Sequence, residues 1–228
     1  PPFLTDMGSM LVRFRSHPIG ISTEKAFLHV RLQESDRDMT RFLWLSQPED
    51  PESKLHAYRF NSVLFGSASS PFMLNAVLHA HLNEHNTPVS RDMKENLYVD
   101  NIITGCESHN EALNYYEEAR GIMADAKFNL RSWASNSKVL RDRAAVDKVL
   151  EADCDDANVL GLRWNTLAGT LALVKRETSQ PPDAVITKQE ILSESSKIFD
   201  PLGLITPVSV NAKILMQDIW QLNVDWDE

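Results

Sequence analysis

Between Asp6 and Arg15 the apolar residues Met7, Met10, Leu11 and Phe14 recur at helical spacing and predict an amphipathic helix. Ile19-Gly20-Ile21 predicts a short strand, and the stretch from Ala26 to Leu32 is apolar enough for partial burial. Arg41–Leu45 and Tyr58–Phe65 are rich in aromatic and branched residues and predict two strands, with the proline-bearing segment Ser46–Lys54 as the loop between them. Ser70-Pro71 predicts a helix start with Ser70 as cap, and Leu74, Val77, Leu78 and Leu82 mark its buried face. Asn96–Val99 and Ile102–Thr104 predict two antiparallel strands turning at Asp100-Asn101, both good turn formers. Ser108 with Glu111 predicts a capping box, followed by an apolar face of Ala112, Leu113, Tyr116, Ala119, Ile122 and Met123. Phe128–Trp133 predicts a strand, and a short helix is expected around Arg143–Leu150.

Val159–Trp164 and Thr170–Val174 predict a further hairpin, and Ser179–Asp183, with two prolines, a linker. Thr187 and Glu190 form another capping box, with Ile191, Leu192, Ile198 and Phe199 following at helical spacing until Asp200-Pro201-Leu202-Gly203 stops the helix. Asn211–Trp220 predicts a last helix that buries Ile214, Leu215 and Ile219. Strands and helices alternate first and helices alone follow, which is the pattern of an α+β body with a small helical appendage. The expected division is 1–178 and 179–228.

With 228 residues, 43% hydrophobic and 24% charged, the chain has the composition of a globular protein able to bury a sizeable core. No apolar run reaches the roughly 18 residues of a membrane helix. The amino terminus lacks a basic segment followed by an apolar one, so no signal peptide is expected, and Pro1-Pro2 reads as a cut edge. Cys106 and Cys154 are too few for a zinc site or a disulfide framework, which favours a reducing, intracellular compartment. The net charge of −9 argues against strong nonspecific nucleic-acid binding, though a local basic groove can sit on an acidic body.

Candidate chemistry concentrates at Asp100. A carboxylate on a hairpin tip is fixed and partly exposed, which suits a metal ligand. His81 and His85 share one helical face with His79 nearby, but no third ligand accompanies them, and they read as surface or partly buried histidines. Asp153, Asp155 and Asp156 lack calcium-loop spacing and read as a solvated loop. Trp44, Trp133 and Trp164 could stack on bases, but tryptophans at strand positions are more often core.

Tyr98-Val99-Asp100-Asn101 resembles the Tyr-x-Asp-Asp box of reverse transcriptases, with Asn101 in place of the second Asp. Other blocks agree in order: Glu24–Leu28 resembles the first palm motif, Asp36–Trp44 the strand after it, and Phe65-Gly66 with Ser70–Ala76 the helix that contacts substrate and template. Leu160–Trp164 resembles the primer-grip hairpin, and Ile198–Pro207 is distinctive of one group. Together they resemble the reverse transcriptase of BEL/Pao retrotransposons over essentially the whole chain. The resemblance implies a palm with partial fingers and a helical thumb or connection segment, within a polyprotein that also carries ribonuclease H and integrase. It implies an RNA/DNA primer–template and deoxynucleotides as partners, Mg2+ as cofactor, and a cytoplasmic, virus-like-particle setting. It also implies roles: Asp100 and Asn101 at the catalytic metal position, Phe27, Phe65, Gly66 and Tyr98 at the substrate, and Leu160, Gly161 and Leu162 at the primer.

Nucleotidyl transfer in that family uses two divalent ions about 4 Å apart, held by three carboxylates. Asn101 offers a neutral oxygen, and Ser22 stands where the first motif carries its Asp, unless two residues are lost after Thr23. Glu24 is the nearest acid, but its offset is expected to send its side chain elsewhere. Loss of a charged ligand costs roughly a thousandfold or more in rate, so impaired catalysis is expected. The alternatives are a noncatalytic nucleic-acid-binding or assembly module, or a decayed relic.

Overall fold

Asp6 caps the first helix, α1 (Met7–Ser16), its carboxylate accepting the Ser9 amide at 2.8 Å. The structure is a computed structural model that describes residues 6–24, 30–64, 66–151, 155–174, 186–223 and 225–226. Residues 25–29, with Phe27, and also Phe65 and the linker at 179–183, lie outside them. The chain divides into two compact units, Pro1–Cys154 and Asp155–Glu228.

In the first unit β1 (Ile19–Glu24) is followed by a 3-10 turn (Glu34–Thr40) and a two-stranded ribbon, β2 (Arg41–Leu45) and β3 (Leu55–Arg59). Helices α2 (Ser70–His85) and α3 (Pro88–Glu95) lead into the hairpin β4 (Leu97–Tyr98) and β5 (Asn101–Cys106), then α4 (His109–Asp125), β6 (Arg131–Ser135) and α5 (Lys138–Val146). The main sheet has the order β4-β5-β1-β6, antiparallel throughout. Pairs such as Ile19↔Cys106, Ile21↔Thr104 and Thr23↔Ile102 share one face. That face joins Leu74, Leu78 and Leu82 of α2 and Tyr116, Ala119 and Met123 of α4 in a single core. Gly20, Ser22 and Glu24 share the other face with Gly105, Ile103 and Asn101. There α1 closes on β5 over Gly105, where a Cβ would lie 2.5 Å from His17 Cβ.

The second unit holds the sheet β7 (Asp156–Val159), β8 (Leu162–Asn165) and β9 (Thr170–Leu173) in that order, with α6 (Lys188–Ser196) and α7 (Thr206–Gln221). The fold is mixed α and β with antiparallel sheets. The division by contacts falls before the β7–β9 sheet rather than at 178.

Several expected elements shift. The structure adds α3, whose Thr87 and Ser90 cap each other and whose Pro88 sits in the first turn. The helix expected at Arg143–Leu150 runs over Lys138–Val146 instead, started by Ser137 accepting from the Leu140 amide. At α2 the cap is Ser69, which makes no side-chain capping bond, and Ser70 is the first helical residue. Glu111 completes only half of a capping box at α4: Ser108 Oγ accepts its amide, while its own carboxylate takes the amide of Glu107. The strand expected over Tyr58–Phe65 is Leu55–Arg59, because the ribbon pairs Leu45 with Leu55. Val77 is exposed rather than core. So are Ile214 and Leu215, since α7 has no buried residue. Trp44 stands 56% exposed on the ribbon, while Trp133 and Trp164 are core as expected.

Candidate active site

Tyr98 pairs with Asn101, so the two-residue tip is Val99-Asp100 and Asn101 already belongs to β5. This corrects the turn expected at Asp100-Asn101. Val99 has φ 53°, a conformation that a β-branched residue rarely adopts, and its side chain packs against the core. That packing holds the turn where local preference would not. Asp100 therefore sits at the second tip position, with Asn101 Nδ2 donating to its Oδ1 at 3.4 Å.

Across the sheet, Glu24 is the register partner of Asn101. Ser22 and Glu24 are two residues apart, so the strand's period of two keeps them on one face. The expectation that Glu24 would point elsewhere is thereby corrected. Burial first, then the charge of Glu151, then that of Asp100 raise the Glu24 carboxyl above its usual range, although Glu24 as a residue keeps solvent contact. Glu151 lies just after α5, in a short segment that bridges β6, where the Trp133 amide bonds Val149 O and the Glu151 amide bonds Trp133 O, each at 2.9 Å. Asp100 is thus not a lone acid. No local signal marks Glu151, because tertiary docking on β6 brings it in.

Ser22 is buried at 4% exposure, paired with Ile103 and with Ala134 of β6. Thr23 Oγ1 donates to Arg131 O at 2.7 Å. These contacts fix the end of β1 without a carboxylate at Ser22. A pair of divalent ions needs several charged oxygens converging on each ion. The donor set does not fit: Asn101 is neutral and turns its amide nitrogen toward Asp100, and Ser22 brings no carboxylate to the end of β1. Among the described residues no group of three His, Cys, Asp or Glu side chains is arranged to hold a metal.

The other expected site residues lie on different elements of the chain. Tyr98 is half-buried beside the tip. Gly66 has φ +80° and open space around it, so glycine there serves the backbone conformation rather than a close approach. Val159 pairs with Leu162, which makes Leu160-Gly161 the two-residue turn between β7 and β8 rather than part of a strand. Both have positive φ, 49° and 81°, as the mirror-image hairpin turn requires. Leu162 begins β8 and is buried. His81 Nε2 meets Ile122 O at 2.6 Å and His85 faces Asp125 at 3.9 Å, so these histidines tie α2 to α4.

Residues 187–228 match the family described as the Pao retrotransposon-like RNaseH-like domain. The described part of that segment holds α6 and α7 and no strand. No curated protein matches. Among solved structures the chain is similar to a foamy viral protease-reverse transcriptase in complex with an RNA/DNA hybrid, with TM-score 0.53 and 16% identity over 85% of this chain. The match covers 22% of that protein, so this chain spans about a fifth of its length. At this identity the likeness is one of fold. Both matches lie among retroelement pol proteins, one by sequence at the carboxy-terminal end and one by fold over most of the chain. No helix among the described residues is long and apolar enough to cross a membrane.

Proposed function

We propose that this chain is the palm, with partial fingers, of a BEL/Pao-type reverse transcriptase, followed by a helical thumb or connection segment, and that its nucleotidyl transfer is strongly impaired. One observation supports the reading: the β4–β5 tip pairs with the end of β1, which brings Asn101 opposite Glu24 and leaves Ser22 two residues before it, Asn101 and Ser22 being the two positions at which the resemblance calls for carboxylates. Glu24 and Glu151 bring negative charge to Asp100 without reproducing that ligand set. The partner is an RNA/DNA primer–template, with the deoxynucleotide role assigned to Phe27, Phe65, Gly66 and Tyr98 and the primer role to Leu160–Leu162. Mg2+ is the ion this chemistry calls for, within a polyprotein that also supplies ribonuclease H and integrase in the cytoplasm.

The test is primer extension on an RNA template with Mg2+ or Mn2+, beside hybrid binding by fluorescence anisotropy. The wild-type chain is expected to bind the hybrid and extend it barely, and Asn101→Asp to raise extension by about tenfold or more. Robust processive synthesis by the wild type refutes the impairment. Absence of hybrid binding refutes the nucleic-acid role altogether.

A further inference from the structure

We propose that Phe199 is a positioning residue for the primer strand: its ring holds the Leu160-Gly161 turn in the conformation that meets a recessed 3′ end. The proposal deepens the primer-grip reading and rests on it. The turn is unusual for its sequence, because Leu160 occupies a left-handed conformation at φ 49° that costs a non-glycine residue. Three contacts hold it. Leu160 is buried at 9% exposure, Asn158 Oδ1 accepts the Gly161 amide at 3.0 Å, and the Phe199 ring lies against Gly161. A Cβ on Gly161 would sit 2.8 Å from Phe199 Cε1 and 3.1 Å from Cδ1, so the ring and the glycine fit only each other.

Phe199 is itself held. The Asp200 carboxylate accepts the amides of Leu204 at 2.9 Å and Ile205 at 2.8 Å, which clamps the bend after the ring. Pro201, Leu202 and Leu204 from that bend line a cavity of about 30 Å³ together with Leu162, Leu171 and Leu173 of the β8–β9 pair. The segment after α6 is thereby seated on the sheet that carries the turn. Gly161 is exposed and Phe199 remains 47% exposed, so peptide and ring face solvent side by side. A flat ring beside an exposed glycine, which has no side chain to stand in the way, suits the sugar and backbone of a strand end. It does not select a base.

The test compares binding of the full chain to an RNA/DNA hybrid with a recessed DNA 3′ end and to a blunt hybrid of equal length, by fluorescence anisotropy. The wild type is expected to prefer the recessed end, and Phe199→Ala to lower that preference about fivefold or more while Phe199→Tyr keeps it. Gly161→Ala, which displaces the ring, is expected to act as Phe199→Ala does. If Phe199→Ala does not fold, Phe199→Leu, which keeps the apolar volume and lacks the flat ring, is read in its place with the same expectation. A variant with the wild-type preference overturns the proposal, as does equal weakening for both hybrids with a lowered melting temperature. Wild-type binding with no end preference removes the primer-grip reading along with it.

Discussion

Gly105 and Asn75 show how single positions in this chain are decided by what packs over them. Gly105 gives α1 its seat on β5, and the nearest obstacle to a Cβ there is the His17 Cβ, which cannot swing away as a flexible tip would. Gly105→Ala is therefore expected to destabilise the protein by about 1–3 kcal/mol in urea denaturation, through overpacking. Asn75 is fully buried on α2, and among the described residues neither its Nδ2 nor its Oδ1 finds a hydrogen-bond partner. An orphaned amide has already lost its hydration, so truncating it removes a penalty along with some packing. Asn75→Ala is expected to be neutral or stabilising, whereas Leu78→Ala, one turn along the same helix, is expected to cost about 2–5 kcal/mol. Equal losses for the two variants would show that Asn75 is satisfied after all.

Between elements, the contact of α3 with β5 carries a partly buried acid. Asp92 Oδ1 accepts from Asn96 Nδ2 at 2.8 Å and from Thr104 Oγ1 at 3.0 Å. The Tyr115 hydroxyl lies near the same carboxyl, and among the described residues neither it nor Asp92 Oδ2 closes a hydrogen bond of full geometry. Burial raises the Asp92 carboxyl above its usual value, and the bonds from its neighbours pull it only partway back. With the folded value above the unfolded one, the native state holds a proton that the unfolded chain releases. Stability from this group is full below the unfolded value of 3.8 and declines as pH rises through the folded value. Asp92→Asn is expected to flatten that decline in melting temperature measured from about pH 4 upward. An unchanged pH profile would mean that Asp92 ionises in the folded protein as freely as in the unfolded one. The ribbon β2–β3 makes a contrast: Phe42 stacks on Tyr58 with ring centroids 5.8 Å apart, yet both strands are largely exposed. An isolated pair of strands has only marginal stability.

Across the whole molecule the apolar burial is uneven. The large core cluster, from Ile19 to Val149, lies in the first unit. In the second unit α7 has no buried residue, and the sole buried residue of α6 is Lys188, whose ammonium lies 4.3 Å from the Trp220 ring centre. Burial of apolar surface is the main resistance to local opening. Hydrogen exchange is accordingly expected to be slowest in α4 and β5 and fastest in α7 and the β2–β3 ribbon, with the second unit opening before the first. Equal protection of α4 and α7 would contradict this ordering.

The sequence by itself determined the elements whose signals are local. The α1 face of Met10, Leu11 and Phe14, the α4 face, and the Thr187–Glu190 capping box all stand where spacing and cap chemistry placed them. It also placed the strands on either side of Asp100 and the hairpin β8–β9, because alternation and turn residues act over a few positions. Tertiary structure alone decided that Val99 rather than Asn101 takes the turn, since packing of the partly buried Val99 side chain against the core outweighs its backbone preference. It decided too that Glu24 faces Asn101, that Glu151 joins them, and that Phe199 closes on Gly161. Those pairings join residues tens of positions or more apart, and no local pattern encodes which distant side chain will dock. The exposure of α7 belongs with them: its apolar positions read as a buried face, but burial requires a partner surface, and periodicity cannot supply one.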